Sequence, residues 1–97
     1  IPNKKNFPII SILKRVNEYP STSIIINAAN EILVDHFLRK NIPFLAIPSI
    51  IQQVLKDSNY RKYAVKVPKD LEIINNIDSW SRSITLEKIK TLYGENN

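Results

Sequence analysis

The sequence predicts an all-α protein, a bundle of four main helices joined by short connections. Apolar residues recur at the three- and four-residue spacing of helix faces along most of the chain, and strand-like alternation is confined to residues 63–67. Five of the six prolines divide the chain into helix-sized pieces. A length of 97 residues suits one domain with its own core. We therefore expect residues 1–97 to form a single helical domain, with 1–6 and 94–97 as loose ends.

The first three helices are predicted from their starts, ends and apolar stripes. Residues 8–18 begin with a proline, which suits a first helical position, and end where Tyr19 precedes Pro20. Residues 23–39 follow three candidate N-caps, Ser21, Thr22 and Ser23. Residues 47–58 show a single apolar stripe and a polar opposite face.

The C-terminal third is predicted as a loop, a short turn and a last helix. The loop covers residues 56–69, and the turn of helix covers residues 70–75. Asp78 is the expected N-cap of a helix that runs to residue 93, and Gly94 is the expected stop. Because its apolar residues change direction halfway, this helix is expected either to bend or to contact two partners.

The second helix is apolar on two sides, which is unusual for a surface helix. One stripe includes Ile26, Leu33 and Phe37, whereas Val34 and Leu38 lie on the other side. The pattern predicts that this helix is central or covered on two sides. Its two adjacent alanines, at positions 28 and 29, would let another backbone come close.

Residues 27–31 of this helix, Asn-Ala-Ala-Asn-Glu, are the candidate site. Asn27, Asn30 and Glu31 lie within one helical turn of each other and need partners if they are buried. Glu31 could act as a general base or a metal ligand, with the amides orienting a substrate. We favour a structural or interdomain polar network, because one carboxylate without a nearby histidine or second acid makes a poor active site.

No catalytic, cofactor-binding or metal-ligating residue is assigned to this chain. Cysteine is absent, which excludes disulfides and thiolate chemistry, and the single glycine excludes a glycine-rich phosphate loop. His36 has no other ligand at metal-binding spacing on its face, so we predict a packing histidine. No apolar run approaches the ~18 residues of a membrane span, so no membrane partner is expected.

The alternative function is a small basic module that binds nucleic acid. The net charge is +5, and residues 56–69 carry five cations and one acid with Tyr60 and Tyr63 among them. Basic residues with interleaved aromatics can hold phosphates and stack on bases. We do not favour nucleic acid as a partner, because Ile, Asn and Lys supply 38 of the 97 residues and this compositional bias explains part of the charge.

Residues 27–31, with the apolar positions that follow them up to Ile47, resemble the C-terminal part of the 1-deoxy-D-xylulose 5-phosphate reductoisomerase family. Phe7-Pro8 with its short helix is similar to that family too. So are Leu71-Glu72 and the segment Ile-Asp-Ser-Trp-Ser-Arg at 77–82. The likeness covers roughly residues 6–93.

The resemblance implies a fragment of a larger enzyme, and the missing methionine and the single glycine lead to the same expectation. Members of the family have an NADPH-binding domain, a central catalytic domain with a divalent metal (Mg²⁺ or Mn²⁺), a linker and a C-terminal helical bundle. They are homodimers that make 2-C-methyl-D-erythritol 4-phosphate in non-mevalonate isoprenoid biosynthesis. This chain would be only the bundle, without catalytic residues, cofactor or metal, supporting the catalytic domain in a bacterial cytoplasm or a plastid-type organelle.

Overall fold

The computed structural model describes residues 8–94, which form five helices and no strand. The helices are α1 (Pro8–Arg15), α2 (Thr22–Leu38), α3 (Ala46–Leu55), α4 (Tyr60–Ala64) and α5 (Leu71–Tyr93). The predicted all-α class is confirmed. The ends expected to be loose lie outside the described residues, except for Gly94, which is the C-cap of α5.

The first three helices start and end within three residues of the predicted positions. The N-cap of α2 is Ser21, but its side chain makes no capping hydrogen bond. Instead, the buried Ser21 donates its N–H to the carbonyl of Ala64 (2.9 Å) and its Oγ hydrogen to the carbonyl of Lys66 (2.6 Å). Ser21 therefore clamps the start of α2 to the end of α4.

The predicted break in the C-terminal helix is wrong, because α5 runs without interruption from Leu71 to Tyr93. Asp70 is the N-cap, and its Oδ1 accepts the N–H of Ile73 at 2.9 Å. The buried residues of α5 repeat every four positions, at Ile77, Ser81, Thr85 and Ile89. Two of these four residues, Ser81 and Thr85, are polar, so the buried face of α5 is not visible as a continuous apolar stripe in the sequence. For this reason the sequence predicted a short turn of helix and a separate last helix.

The segment 56–69 is not only a loop, since it contains the short helix α4. Tyr60 and Ala64, four residues apart, are buried, whereas Arg61 and Lys62 between them point outward. The strand-like alternation at 63–67 comes from the end of this helix and the exposed Val65 and Val67 that follow it. The suggestion of a strand there is wrong.

A single core joins all five helices. α2 packs against both α3 and α5, and α1 packs against α3. Each helix contributes at least one buried apolar side chain, for example Ile12, Leu33, Ile50, Tyr60 and Ile77. α3 also packs against α5, so α3 has more neighbouring helices than α2. The central or doubly covered position expected for α2 stays a prediction.

The contact between α2 and α5 is close because small side chains line it. Ala28 and Ala29 are buried, and the hydroxyl of Ser81 on α5 donates to the main-chain carbonyl of Ile25 on α2 at 2.6 Å. The close approach of a neighbouring backbone at the two alanines stays a prediction. The contact between α2 and α5 fixes which side of α2 faces inward and which side remains outside.

Candidate functional site

The candidate polar residues lie on the side of α2 that faces away from the core. Asn27, Asn30 and Glu31 are all exposed. The structure does not join them into a hydrogen-bonded network within residues 8–94, where the two asparagine side chains have no partner. A contact between these residues and another domain stays a prediction.

Glu31 belongs to a small ion cluster with α5. Its Oε1 accepts a hydrogen bond from Nη2 of Arg82 at 2.6 Å, and Nε of Arg82 donates to Asp78 at 2.8 Å. The hydrogen bond to Asp78, and then the one to Glu31, raise the pKa of Arg82 above its ordinary value. Exposed ion pairs of this kind contribute about 0–1 kcal/mol to stability, so the cluster orients side chains more than it holds the fold. Arg82 was predicted only as part of the family resemblance of residues 77–82, although the four-residue spacing of Asp78 and Arg82 is a signal for a helix-surface pair.

Apolar side chains share this exposed side of α2. Val34 is 36% exposed and Leu38 is 70% exposed. We call the five exposed residues Asn27, Asn30, Glu31, Val34 and Leu38 the outer face of α2. No other helix in the described part of the chain covers this face, although its apolar character predicted a cover.

The apolar surface continues beyond the end of α2. The ring of Phe44 meets the ring of Phe37 edge to face at 5.6 Å, yet Phe44 remains 62% exposed and the adjacent Leu45 remains 72% exposed. Single exposed apolar residues are normal on a protein surface, but a contiguous group of them marks an interaction site. Phe44 and Leu45 belong to the apolar positions of the family resemblance, and their exposure was not predicted from the sequence.

The two tyrosines of the basic segment 56–69, Tyr60 and Tyr63, make contacts within the domain. The hydroxyl of the buried Tyr60 donates to Glu18 at 2.8 Å, and it lies 2.7 Å from Oγ1 of Thr22. Since the only phenolic hydrogen is given to Glu18, the Thr22 hydroxyl must donate to Tyr60. Arg15 completes the group, with Nε 3.0 Å from Glu18 and its guanidinium 5.0 Å from the Tyr60 ring centre.

This packing does not favour the nucleic-acid alternative. Tyr60 is inaccessible, and burial raises its pKa above the usual 10.0. Tyr63 is already stacked on Trp80, with ring centres 4.7 Å apart and an interplanar angle of 11°. Both tyrosines of this segment therefore make aromatic or hydrogen-bond contacts within the fold.

Two further observations concern metal ligands and membranes. His36 is half-buried, and its Nδ1 is 3.2 Å from Nδ2 of Asn41, so it packs and hydrogen-bonds at the end of α2. Within residues 8–94, no group of three His, Asp or Glu side chains is arranged to hold a metal ion. None of the described helices is long and apolar enough to cross a membrane.

Comparison with known proteins identifies the family. Residues 1–84 match the family model of the DXP reductoisomerase C-terminal domain. The chain belongs to this family. No solved structure matches the chain.

Several bacterial proteins named 1-deoxy-D-xylulose 5-phosphate reductoisomerase are similar to this DXP reductoisomerase C-terminal domain. The protein from Pelotomaculum thermopropionicum is 31% identical over 93 residues, which is 95% of this chain and 23% of the relative. The protein from Wolbachia sp. subsp. Brugia malayi is 38% identical over 92 residues, 92% of this chain and 23% of the relative. The protein from Blochmanniella pennsylvanica is 47% identical over 62 residues, 64% of this chain and 14% of the relative. The chain thus spans less than a quarter of the length of these relatives.

Proposed function

We propose that this chain is the non-catalytic C-terminal domain of a 1-deoxy-D-xylulose 5-phosphate reductoisomerase and that it supports the catalytic domain of that enzyme. The observation that carries the proposal is the match over nearly the whole chain to relatives that bear this name. The family description, a C-terminal domain, agrees with the small share of each relative that the chain covers.

The placement of the acidic side chains supports a non-catalytic role. Glu18 is held by Tyr60 and Arg15, and Glu31 is held by Arg82. Each of these carboxylates is neutralised by a neighbouring cation on an open surface, whereas a general base needs a site that shifts its pKa toward its working pH. The residues described therefore suit packing better than proton transfer.

The chemistry of the proposed enzyme would lie on the remaining polypeptide. There NADPH and Mg²⁺ or Mn²⁺ would serve the conversion of 1-deoxy-D-xylulose 5-phosphate to 2-C-methyl-D-erythritol 4-phosphate in non-mevalonate isoprenoid biosynthesis. The described residues of this chain do not fit either group, since they offer neither a metal-binding cluster nor a glycine-rich phosphate loop. We further propose that the enzyme is a homodimer of a bacterial cytoplasm or a plastid-type organelle.

An enzyme assay tests the proposal. The longer polypeptide that carries this domain should oxidise NADPH when 1-deoxy-D-xylulose 5-phosphate and Mg²⁺ or Mn²⁺ are present, and the 97-residue chain alone should not. The same assay without the sugar phosphate controls for uncoupled oxidation. An inactive longer polypeptide would remove the proposed enzyme, and activity of the 97-residue chain would show that the domain is catalytic.

A truncation tests the supporting role. A protein that ends before residue 1 should bind NADPH but lose thermal stability relative to the longer polypeptide, because the surface that this domain covers becomes exposed. An unchanged melting temperature would show that the domain does not support its neighbour.

A further inference from the structure

The outer face of α2 presents exposed apolar side chains and exposed carboxamides side by side. Its two amides, Asn27 and Asn30, have no partner in the part of the chain described, and its apolar members, Val34 and Leu38, follow them toward the C-terminal end of the helix. The apolar surface extends to Phe44 through the ring contact with Phe37. The opposite side of the same helix is covered, because α3 and α5 pack on it. The face is therefore available and is built for a partner that is neither wholly apolar nor wholly polar.

We propose that the outer face of α2 seats a segment of the same polypeptide that precedes residue 1. This inference rests on the proposed function and names the surface through which the domain would support its neighbour. More than three quarters of the length of each relative lies outside the matched region, and a match to a C-terminal domain indicates that this length comes mainly before it. An occupant from the same chain is thus present in every copy of such a protein.

The size of the face argues for an occupant from the same chain over a second copy. α2 has 17 residues, so one side of it measures about 25 Å by 10 Å, or about 250 Å². A stable complex between separate proteins buries about 800 Å² on each partner. A segment tethered in the same chain is present at an effective concentration in the millimolar range. It can therefore stay bound with a smaller buried area than two separate proteins need.

The chemistry of the face describes the segment that fits it. Val34 and Leu38 require apolar side chains opposite them. The carboxamides of Asn27 and Asn30 can each donate two hydrogens and accept on oxygen, which suits main-chain groups as well as polar side chains. Arg82 already compensates the charge of Glu31, so the segment needs no cation at that position.

Thiol labelling in the longer polypeptide tests the proposal. The domain has no cysteine, so Leu38→Cys introduces a single reporter that peptide mass mapping distinguishes from thiols elsewhere. Leu71→Cys is the matched control, because Leu38 is 70% exposed and Leu71 is 71% exposed. If a segment covers the outer face, the thiol at position 38 should react at least ~10-fold more slowly than the thiol at position 71. Equal rates, whether fast or slow, would overturn the assignment.

Labelling at several protein concentrations distinguishes a segment of the same chain from a second copy of the protein. Protection by a segment of the same chain is independent of protein concentration, whereas protection by a second copy is lost on dilution, and that loss would also overturn the proposal. A photo-crosslinker in place of Val34 should yield an intramolecular product with a peptide from before residue 1, and covalent dimers would contradict it. Labelling can be measured on an inactive protein, so its outcome is separate from that of the NADPH assay.

Discussion

At the scale of single residues, the Tyr60 hydroxyl joins segments of the chain that are far apart in the sequence. It links Glu18, before α2, to Thr22, at the start of α2, although Tyr60 itself lies 42 and 38 residues further along the chain. Thr22 in turn accepts the N–H of Tyr19 at 3.2 Å. Because each hydroxyl both donates and accepts, the bonds polarise and strengthen one another.

Replacing Tyr60 by phenylalanine should lower the free energy of unfolding by about 1–3 kcal/mol, because the buried Thr22 hydroxyl loses its acceptor. Urea titration followed by circular dichroism measures this loss. Tyr93→Phe is the control, since Tyr93 is 44% exposed, and it should leave the midpoint unchanged. Equal stability of Tyr60→Phe and the unsubstituted protein would show that the network is dispensable.

Glu18 should make stability depend on pH in the acidic range. The hydrogen bond from Tyr60, together with Arg15, lowers the pKa of Glu18 below its ordinary 4.5 despite partial desolvation. A lowered pKa stabilises the fold at pH values above 4.5, and this contribution is lost as the pH falls through 4.5 and the lower pKa of the folded state.

Glu18→Gln removes this titration and keeps an acceptor for Tyr60. The variant should therefore lose less stability than the unsubstituted protein between neutral pH and a pH well below 4.5, as measured by urea midpoints. Glu87→Gln, at an exposed position of α5 without an ion pair in the described residues, is the control. Parallel pH profiles for Glu18→Gln and the unsubstituted protein would contradict the assignment.

At the scale of elements, α2 ends in a Schellman turn with a lysine in the position that glycine usually holds. The N–H of Lys40 bonds to the carbonyl of Phe37, and the N–H of Asn41 bonds to the carbonyl of His36. Lys40 has a φ of 66°, and no other non-glycine residue among those described has a positive φ. A side chain in this left-handed conformation costs about 1–2 kcal/mol.

Lys40→Gly should therefore raise the free energy of unfolding by up to about 1 kcal/mol, since glycine adopts this conformation without a steric penalty but loses more entropy on folding. Thermal unfolding measures the change. Arg39→Gly, at a neighbouring residue with φ of −85°, should lower stability instead. A melting temperature that falls for both variants would show that the left-handed turn is not strained.

The elements that the sequence predicted well are those whose buried side chains are apolar. The stripe of α3 contains only such residues, and its limits were predicted within three positions. α5 was divided in two because Ser81 and Thr85 lie on its buried face, and α4 was missed because it is only five residues long and has as many cations as buried residues. The exposure of Asn27 and Asn30 could not be predicted either, since a helical pattern defines the sides of α2 and not which neighbour covers each side.

At the scale of the whole molecule, one core that includes residues of all five helices predicts cooperative unfolding. Circular dichroism reports all helices, whereas the fluorescence of Trp80, the only tryptophan, reports the stacking of α4 on α5. The two probes should give the same melting temperature.

Ile50→Ala should lower both midpoints together. The side chain of Ile50 is fully buried, and its truncation should cost about 2–5 kcal/mol, with roughly 4–8 °C lost per kcal/mol in a domain of this size. Leu45→Ala, at a position that is 72% exposed, should change stability by less than about 0.5 kcal/mol. Separation of the two probes in Ile50→Ala would show that α4 and α5 unfold apart from the rest.

The Ser21 clamp has a mechanical consequence. Through its N–H and hydroxyl, Ser21 ties two points that are up to 45 residues apart in the chain, so α2, α3 and α4 lie within a loop that hydrogen bonds close. A tensile load applied between α1 and α5 would be carried by this closure together with the packing of α1 on α3 and of α5 on α2. The chain enclosed by the loop could extend only after the two bonds from Ser21 had broken.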